Sequence, residues 1–350
     1  MYSKEQIFDV LKEAYEDSRY ILMGEQLMGD CDMPNDMFAR YEAATGGKRP
    51  AVLGIDLACY GFHLQKVGEG SEKWYEIINQ ITDFAESGGI VTASSHFANP
   101  IPDPDARALC RGSFGGADKW EEMLTEGTEL NRIIKEELIL DGKFLGELGK
   151  RGVTVLWRPL HEANGGWFWF CARSTKKMDW LSGDYLRRFW KYIYKLYTEE
   201  MKLDNLLWIY SPNVSANSEG GTRDALYYYP GDEYCDIVGV DWYTSNQNEL
   251  NTPGHSYDKI MSLGKVAVLA EIGPRPPLRE YDLPPEEQAK HFSALDLVNM
   301  IKDHTKRGAK IAYALTWHYG RSSICSLGKA DEAINDLFCI DLDRLKKLYK

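Results

Sequence analysis

Two glutamates of this chain stand where an acid can do chemistry: Glu162, in VLWRPLHE, and Glu271, in AVLAEIG. Each follows at once on an apolar run of the kind that makes a buried strand. Two carboxyl groups about 5–5.5 Å apart, one protonated and one ionised, cleave glycosidic bonds with retention of configuration. A lone glutamate at a strand end is as well explained by a cap or a salt bridge. Two of them in matching contexts are harder to explain that way.

The neighbours of Glu162 fit this chemistry. The run Val153–Trp157 stops at Arg158-Pro159, continues into His161-Glu162, and opens through Gly165-Gly166 into Trp167, Phe168, Trp169 and Phe170. Burying Arg, His and Glu unpaired would cost several kcal/mol or shift their pKa values, so a core strand has no use for them. Arg158 can donate through its fixed fork to Glu271 and keep it ionised; a structural salt bridge is the alternative. His161 is expected to orient a neighbour, since HEANG lacks the second histidine of HExxH and no metal site is indicated. Tyr243 in GVDWY offers a hydroxyl to a carboxylate, and Trp317 in LTWHYG offers a floor for a pyranose ring. Trp167 and Trp169 follow two glycines and are expected in the cleft rather than the core. No GxxxxGK[ST] loop and no GxSxG elbow occurs, which argues against nucleotide phosphates and an α/β-hydrolase.

These residues need a scaffold that gathers strand ends. Apolar runs predict strands at Ile21–Gly24, Ala51–Leu57, Ile90–Ser94, Val153–Trp157, Leu206–Tyr210, Ile237–Trp242, Val266–Ala270 and Ile311–Thr316. Helical patterns fall at Ser71–Glu86, Thr125–Lys150, Trp180–Glu200, Pro285–Arg307 and Asp331–Tyr349. Alternation of this kind, closed by right-handed crossovers, predicts an α/β fold, a single (β/α)8 TIM barrel over residues 1–350. The strands end in Glu25-Gln26, Asp56, Ser95-His96, Arg158 with His161-Glu162, Ser211 and Asn213, Asp241-Trp242-Tyr243, Glu271, and Trp317-His318. That is the face on which barrel enzymes build their sites.

Composition narrows the partner. A net charge of −12 disfavours nucleic acid and acidic membranes and fits a neutral substrate. With 10 Trp and 21 Tyr, part of the aromatic content is expected in an exposed groove. Seven scattered cysteines without a CxxC pair indicate neither zinc nor a disulfide framework. Gly115-Gly116 and Gly220-Gly221 lie on loops without a phosphate-binding pattern. The N-terminal MYSKEQIFDVLKEAYEDS has no apolar core of a leader, and no apolar run is long enough to span a membrane. The sequence as it stands reads as cytoplasmic, or as secreted if an export signal has been removed. No cofactor is implied, and a monomer is expected.

RPLHEANGGWFWF closely resembles the RPLHE-x-NG-x-WFWW block of glycoside hydrolase family 26, the β-mannanase family. SSHFANP is similar to the family's WH-x-x-NP segment, and GVDWY, LAEIG and Trp317 match further motifs in order along residues 20 to 320. The resemblance implies a (β/α)8 barrel and double displacement, with Glu162 as acid/base and Glu271 as nucleophile. It further implies that His161 and Tyr243 hold the nucleophile, and that His96, Trp167 and Trp317 line the subsites. Three positions depart from the family pattern: Ser95 replaces a tryptophan, Phe170 ends the aromatic block, and Glu25 stands where glutamine is frequent. Taken as subsite changes, they leave open a β-1,3-xylanase or a mixed-linkage β-1,3-1,4-glucanase beside the expected β-1,4-mannanase. A non-catalytic glycan-binding protein is a further alternative, disfavoured because both carboxylates are present.

Overall fold

The computed structural model describes residues 1–27, 33–171, 181–213, 223–244, 256–274, 292–317 and 323–349. Eight parallel strands close into a barrel: β1 (Ile21–Gln26), β2 (Val52–Asp56), β3 (Ile90–Ser94), β4 (Val155–Arg158), β5 (Leu206–Tyr210), β6 (Ile237–Thr244), β7 (Ala267–Pro274) and β8 (Tyr313–Trp317). Each pairs with the next, and β1 pairs with both β2 and β8. A two-residue strand, β9 (Cys339–Ile340), adds to the start of β1. The helices are α1 (Lys4–Asp17), α2 (Pro34–Thr45), α3 (Leu64–Val67), α4 (Glu72–Glu86), α5 (Ala117–Leu124), α6 (Glu129–Lys150), α7 (Asp184–Lys195), α8 (Ser256–Met261), α9 (Ala294–Lys306), α10 (Ala330–Asn335) and α11 (Leu342–Leu348). No helix among the described residues is long and apolar enough to cross a membrane.

The expected fold class is the one observed, and the differences lie at element boundaries. The predicted helix over Thr125–Lys150 starts at Glu129, because Gly127 takes a φ of 84° and the Thr128 side chain caps Asn131. The expected helix over Asp331–Tyr349 is two helices split by β9. There Asp336 accepts from Phe338 N, and Asp341 restarts the helix by accepting from Arg344 N. The predicted segment Pro285–Arg307 is helical from Ala294, where Ser293 and Asp296 form a capping box; Pro285 and Trp180 lie outside the described residues, as do Cys31, His318 and Gly220-Gly221. The N-terminal helix α1 was not among the expected elements. Its Ile7, Val10, Leu11 and Ala14 recur on one face and join the cluster that holds the barrel interior residues Leu22, Leu156, Leu207 and Val268.

Period-two alternation decides which strand residues reach the mouth. Leu22, Val52, Ile90, Leu156, Leu207, Ile237, Val268, Tyr313 and Leu315 pack in the inner cluster, whereas Met23, Leu53, Val91, Trp157, Trp208, Val238, Leu269 and Ala314 pack outward on the helices. Counting on by twos from the inner set places Gln26, Asp56, Ser94, His96, Arg158, Asp241, Tyr243 and Trp317 toward the axis. Glu25 falls outward. It accepts from Thr316 Oγ1 at 2.5 Å and from Ile324 N at 3.2 Å.

Candidate active site

Strict alternation would turn Glu271 away from the axis, since Leu269 packs outward and Ala270 inward. A bulge corrects this. Val240 pairs with Leu269 but Asp241 pairs with Glu271, and on the other side Leu269 pairs with Ala314 but Ile272 with Thr316. β7 thus carries one residue more than either neighbour at Ala270-Glu271, and Ile272 is outward again. Re-aiming a side chain beside an active site is a recurrent use of bulges.

Both oxygens of Glu271 meet donors. Arg158 Nη2 donates to Oε1 at 2.5 Å and Tyr243 Oη to Oε2 at 2.8 Å. Arg158 is wholly buried and also donates from Nη1 to Asp241 Oδ2 at 2.7 Å; Ser211 Oγ donates to the other oxygen of Asp241. Burial alone would lower the Arg158 pKa, but Asp241 and Glu271 more than offset this and hold it above its ordinary value. His161, Asp241 and Glu271 each offer a ligand atom within 4.8 Å of the others. The guanidinium of Arg158 already supplies a positive charge to both of those carboxylates.

Glu162 sits in a different environment. Its Oε1 accepts from Asn213 Nδ2 and its Oε2 from Trp167 Nε1, each at 2.7 Å. Burial and then the charge of Glu271 push its pKa up to about 7, against the lowering effect of those two hydrogen bonds. The backbone of RPLHE is held in the left-handed region at Leu160 (φ 52°) and Glu162 (φ 54°). Such conformations cost about 1–3 kcal/mol each and cluster at functional sites. Glu162 N donates to Ser211 O at 2.9 Å, and Asn164 clamps Asn213 by donating to its O and accepting from its N, both at 2.8 Å.

His161 does not bond Glu271 directly: its Nε2 is 3.9 Å from Oε1 and instead meets His96 Nε2 at 2.9 Å. His96 in turn meets Asp56 Oδ2 through Nδ1 at 2.7 Å. Burial disfavours the His96 charge, but Asp56 raises its pKa overall, whereas burial and His96 push His161 well below its ordinary value. Trp317 packs edge-on to His96 with ring centroids 5.6 Å apart.

Eight of the residues singled out in the sequence lie in one cluster: His96, Arg158, His161, Glu162, Trp167, Tyr243, Glu271 and Trp317. Two expectations about the surroundings are corrected. Trp169 is core, 1% exposed, with its indole N–H given to Phe97 O, and Phe168 and Phe170 are buried beside it; only Trp167 of that block stays partly open. Trp74, Trp120, Trp157, Trp190 and Trp242 are fully buried as well, while Trp167 and Tyr243 keep part of the aromatic content open at the site. The departures at Ser95, Phe170 and Glu25 are not at the cleft surface, for all three are completely buried and Ser95 lies next to Asp141 of α6. Asn213, Asp241, Ser211 and Asp56 had shown only as polar strand ends. What makes them part of the site is the closure of the barrel.

The sequence matches the model of glycosyl hydrolase family 26 over residues 2–317. It is 31% identical over 284 residues to mannan endo-1,4-β-mannosidase A and B of Caldalkalibacillus mannanilyticus, covering 78% of this chain and 48% of that one. It thus spans about half the length of that relative. A mannan endo-1,4-β-mannosidase of Bacillus subtilis strain 168 is 32% identical over 295 residues, covering 81% of this chain and 71% of its own. The solved Bacillus subtilis mannanase man26 superposes with a TM-score of 0.72 over 96% of this chain and 91% of that one, at 24% identity, a likeness of fold. With the family model covering nearly the whole barrel, this chain belongs to glycosyl hydrolase family 26.

Proposed function

We propose that this protein is a retaining endo-β-1,4-mannanase that works by double displacement, with Glu162 as acid/base and Glu271 as nucleophile. The observation that carries the reading is the contrast between the two carboxyls. Glu271 accepts from a guanidinium and a phenol, the setting of an anion ready to attack; Glu162 is held up to about 7, the setting of a proton donor near neutrality. In the first step Glu271 attacks the anomeric carbon while Glu162 gives its proton to the departing oxygen. In the second, Glu162 takes a proton from water, which displaces Glu271 and returns the negative charge to it. Mannan as substrate is supported by the relatives, which are named mannan endo-1,4-β-mannosidases. The rival xylan and mixed-linkage readings lose their ground, because the departures that suggested them are buried. The same proposal treats the chain as one catalytic domain acting alone on a neutral glycan.

Glu271→Ala is expected to abolish release of mannooligosaccharides from β-1,4-mannan, and added azide to restore turnover as a glycosyl azide. Full activity in Glu271→Ala would sink the mechanism. Activity on β-1,3-xylan or mixed-linkage glucan but not on mannan would sink the substrate.

A further inference from the structure

Asp56, at the end of β2, is wholly buried, so no substrate reaches it. Its Oδ2 accepts from Ser94 Oγ at 2.9 Å and meets His96 Nδ1 at 2.7 Å, while Oδ1 accepts from Ala58 N at 3.2 Å. An ionised carboxylate can only accept, so His96 Nδ1 carries a hydrogen. At the far edge of that ring, His96 Nε2 lies 2.9 Å from His161 Nε2. Two ring nitrogens at this distance share one hydrogen, one donating and the other accepting. When His96 is neutral its single hydrogen is already on Nδ1, so the shared one belongs to His161 Nε2. That nitrogen is the atom of His161 that stands 3.9 Å from Glu271 Oε1. In that state His161 turns the positive side of its ring toward the nucleophile. Its Nδ1, buried and without a hydrogen-bond partner among the described residues, is then a bare lone pair. An orphaned acceptor is the commoner of the two kinds of unmatched buried group.

We propose that Asp56 is a positioning residue for Glu271: acting through His96, it fixes the tautomer of His161 and so the sign of the dipole that the nucleophile faces. The inference rests on Glu271 being the nucleophile. With its hydrogen on Nε2, shared with His96, the positive side of the His161 ring lies nearest Glu271 and helps hold the carboxylate between Arg158 and Tyr243 before attack. It also stabilises the charge that returns to Glu271 when water releases the sugar. A lone pair in its place would repel that charge at both moments. Asp56 differs from a general packing residue in that the identity of one atom, acceptor or donor, decides the outcome.

Asp56→Asn tests this. Its amide oxygen is kept toward Ala58 N, which needs an acceptor, so its NH2 faces His96 Nδ1. The His96 hydrogen must then move to Nε2 and point at His161, whose Nε2 becomes the acceptor and leaves an unprotonated nitrogen beside Glu271. The tautomers are read by 15N NMR of histidine-labelled full-length protein on the alkaline side of the His96 titration. They are read without substrate, so their failure is distinguishable from failure of the azide test on Glu271. The wild type is expected to show His96 protonated at Nδ1 and His161 at Nε2. Asp56→Asn should reverse both and, at the same pH, lower kcat about 10–100-fold, the range for removing an outer partner of a metal-binding histidine, with KM little changed. A wild-type His161 that carries its hydrogen on Nδ1 overturns the proposal even if the variant does not fold. Reversed tautomers with unaltered kcat overturn it as well.

Discussion

Trp167 reaches back to donate its indole N–H to Glu162 Oε2 at 2.7 Å, and Gly165 is what lets the ring pass. A Cβ at Gly165 would lie 2.2 Å from the Trp167 six-membered ring, far inside contact distance. The first aromatic of the WFWF block is therefore a partner of the acid as well as a candidate sugar platform.

That relationship predicts a shared phenotype for two variants. The Trp167 hydrogen bond favours the charged form of Glu162 and lowers its pKa. Trp167→Phe removes the donor, so the Glu162 pKa should rise above about 7. Glu162 acts protonated, so activity falls as pH rises through its pKa, and the alkaline limb of kcat/KM should move to higher pH. Gly165→Ala, by displacing the indole, should move the same limb in the same direction. An unshifted limb in both variants would mean that the bond has no influence on the acid.

Tyr243→Phe removes one of the two donors to Glu271 and leaves Arg158 in place. A hydrogen bond to a charged group is worth about 1.5–3 kcal/mol, so kcat should fall by roughly 10–150-fold if the bond is fully used in the transition state. Arg158→Ala is expected to do more than slow the enzyme. It leaves Asp241 and Glu271 buried without their cation, a change that costs about 3–5 kcal/mol, and urea denaturation should show a matching loss of stability. Equal stability of Arg158→Ala and the wild type would contradict the buried charge pairing.

How much of this was legible in the sequence depends on distance along the chain. The strands could be read because each apolar run stops sharply at a polar residue, and Glu162 because it sits in a dense local motif. The bulge at Ala270-Glu271 could not be read, since it is defined by register against two neighbouring strands. Nor could the Arg158 bridge to Asp241 and Glu271, which joins residues 83 and 113 positions apart. Trp169 departs from its expected place in the cleft for a related reason. A Gly-Gly turn looks exposed locally, but the segment after it folds back under Phe97 and Phe114. The two residues look alike in sequence, and only Trp167 keeps an open face.

Behind the site, Glu137 of α6 makes a further prediction about stability. It is 8% exposed, its Oε1 accepts from Ala98 N at 2.9 Å, and burial, with the charge of Asp56 adding to it, pushes its pKa from 4.5 up to about 7. A carboxyl whose pKa is raised on folding binds a proton that the unfolded chain has released. Its cost is therefore absent below the unfolded value of 4.5 and grows as pH rises through about 7. The full difference corresponds to about 3 kcal/mol. Glu137→Gln keeps an oxygen for Ala98 N and removes the charge. It should match the wild type in urea at pH 4.5 or below, and be more stable by up to about 3 kcal/mol on the alkaline side of pH 7. Activity should be unchanged, since Glu137 touches none of the groups that face the sugar. Parallel stability curves for the two proteins across this range would show that Glu137 stays charged in the folded state.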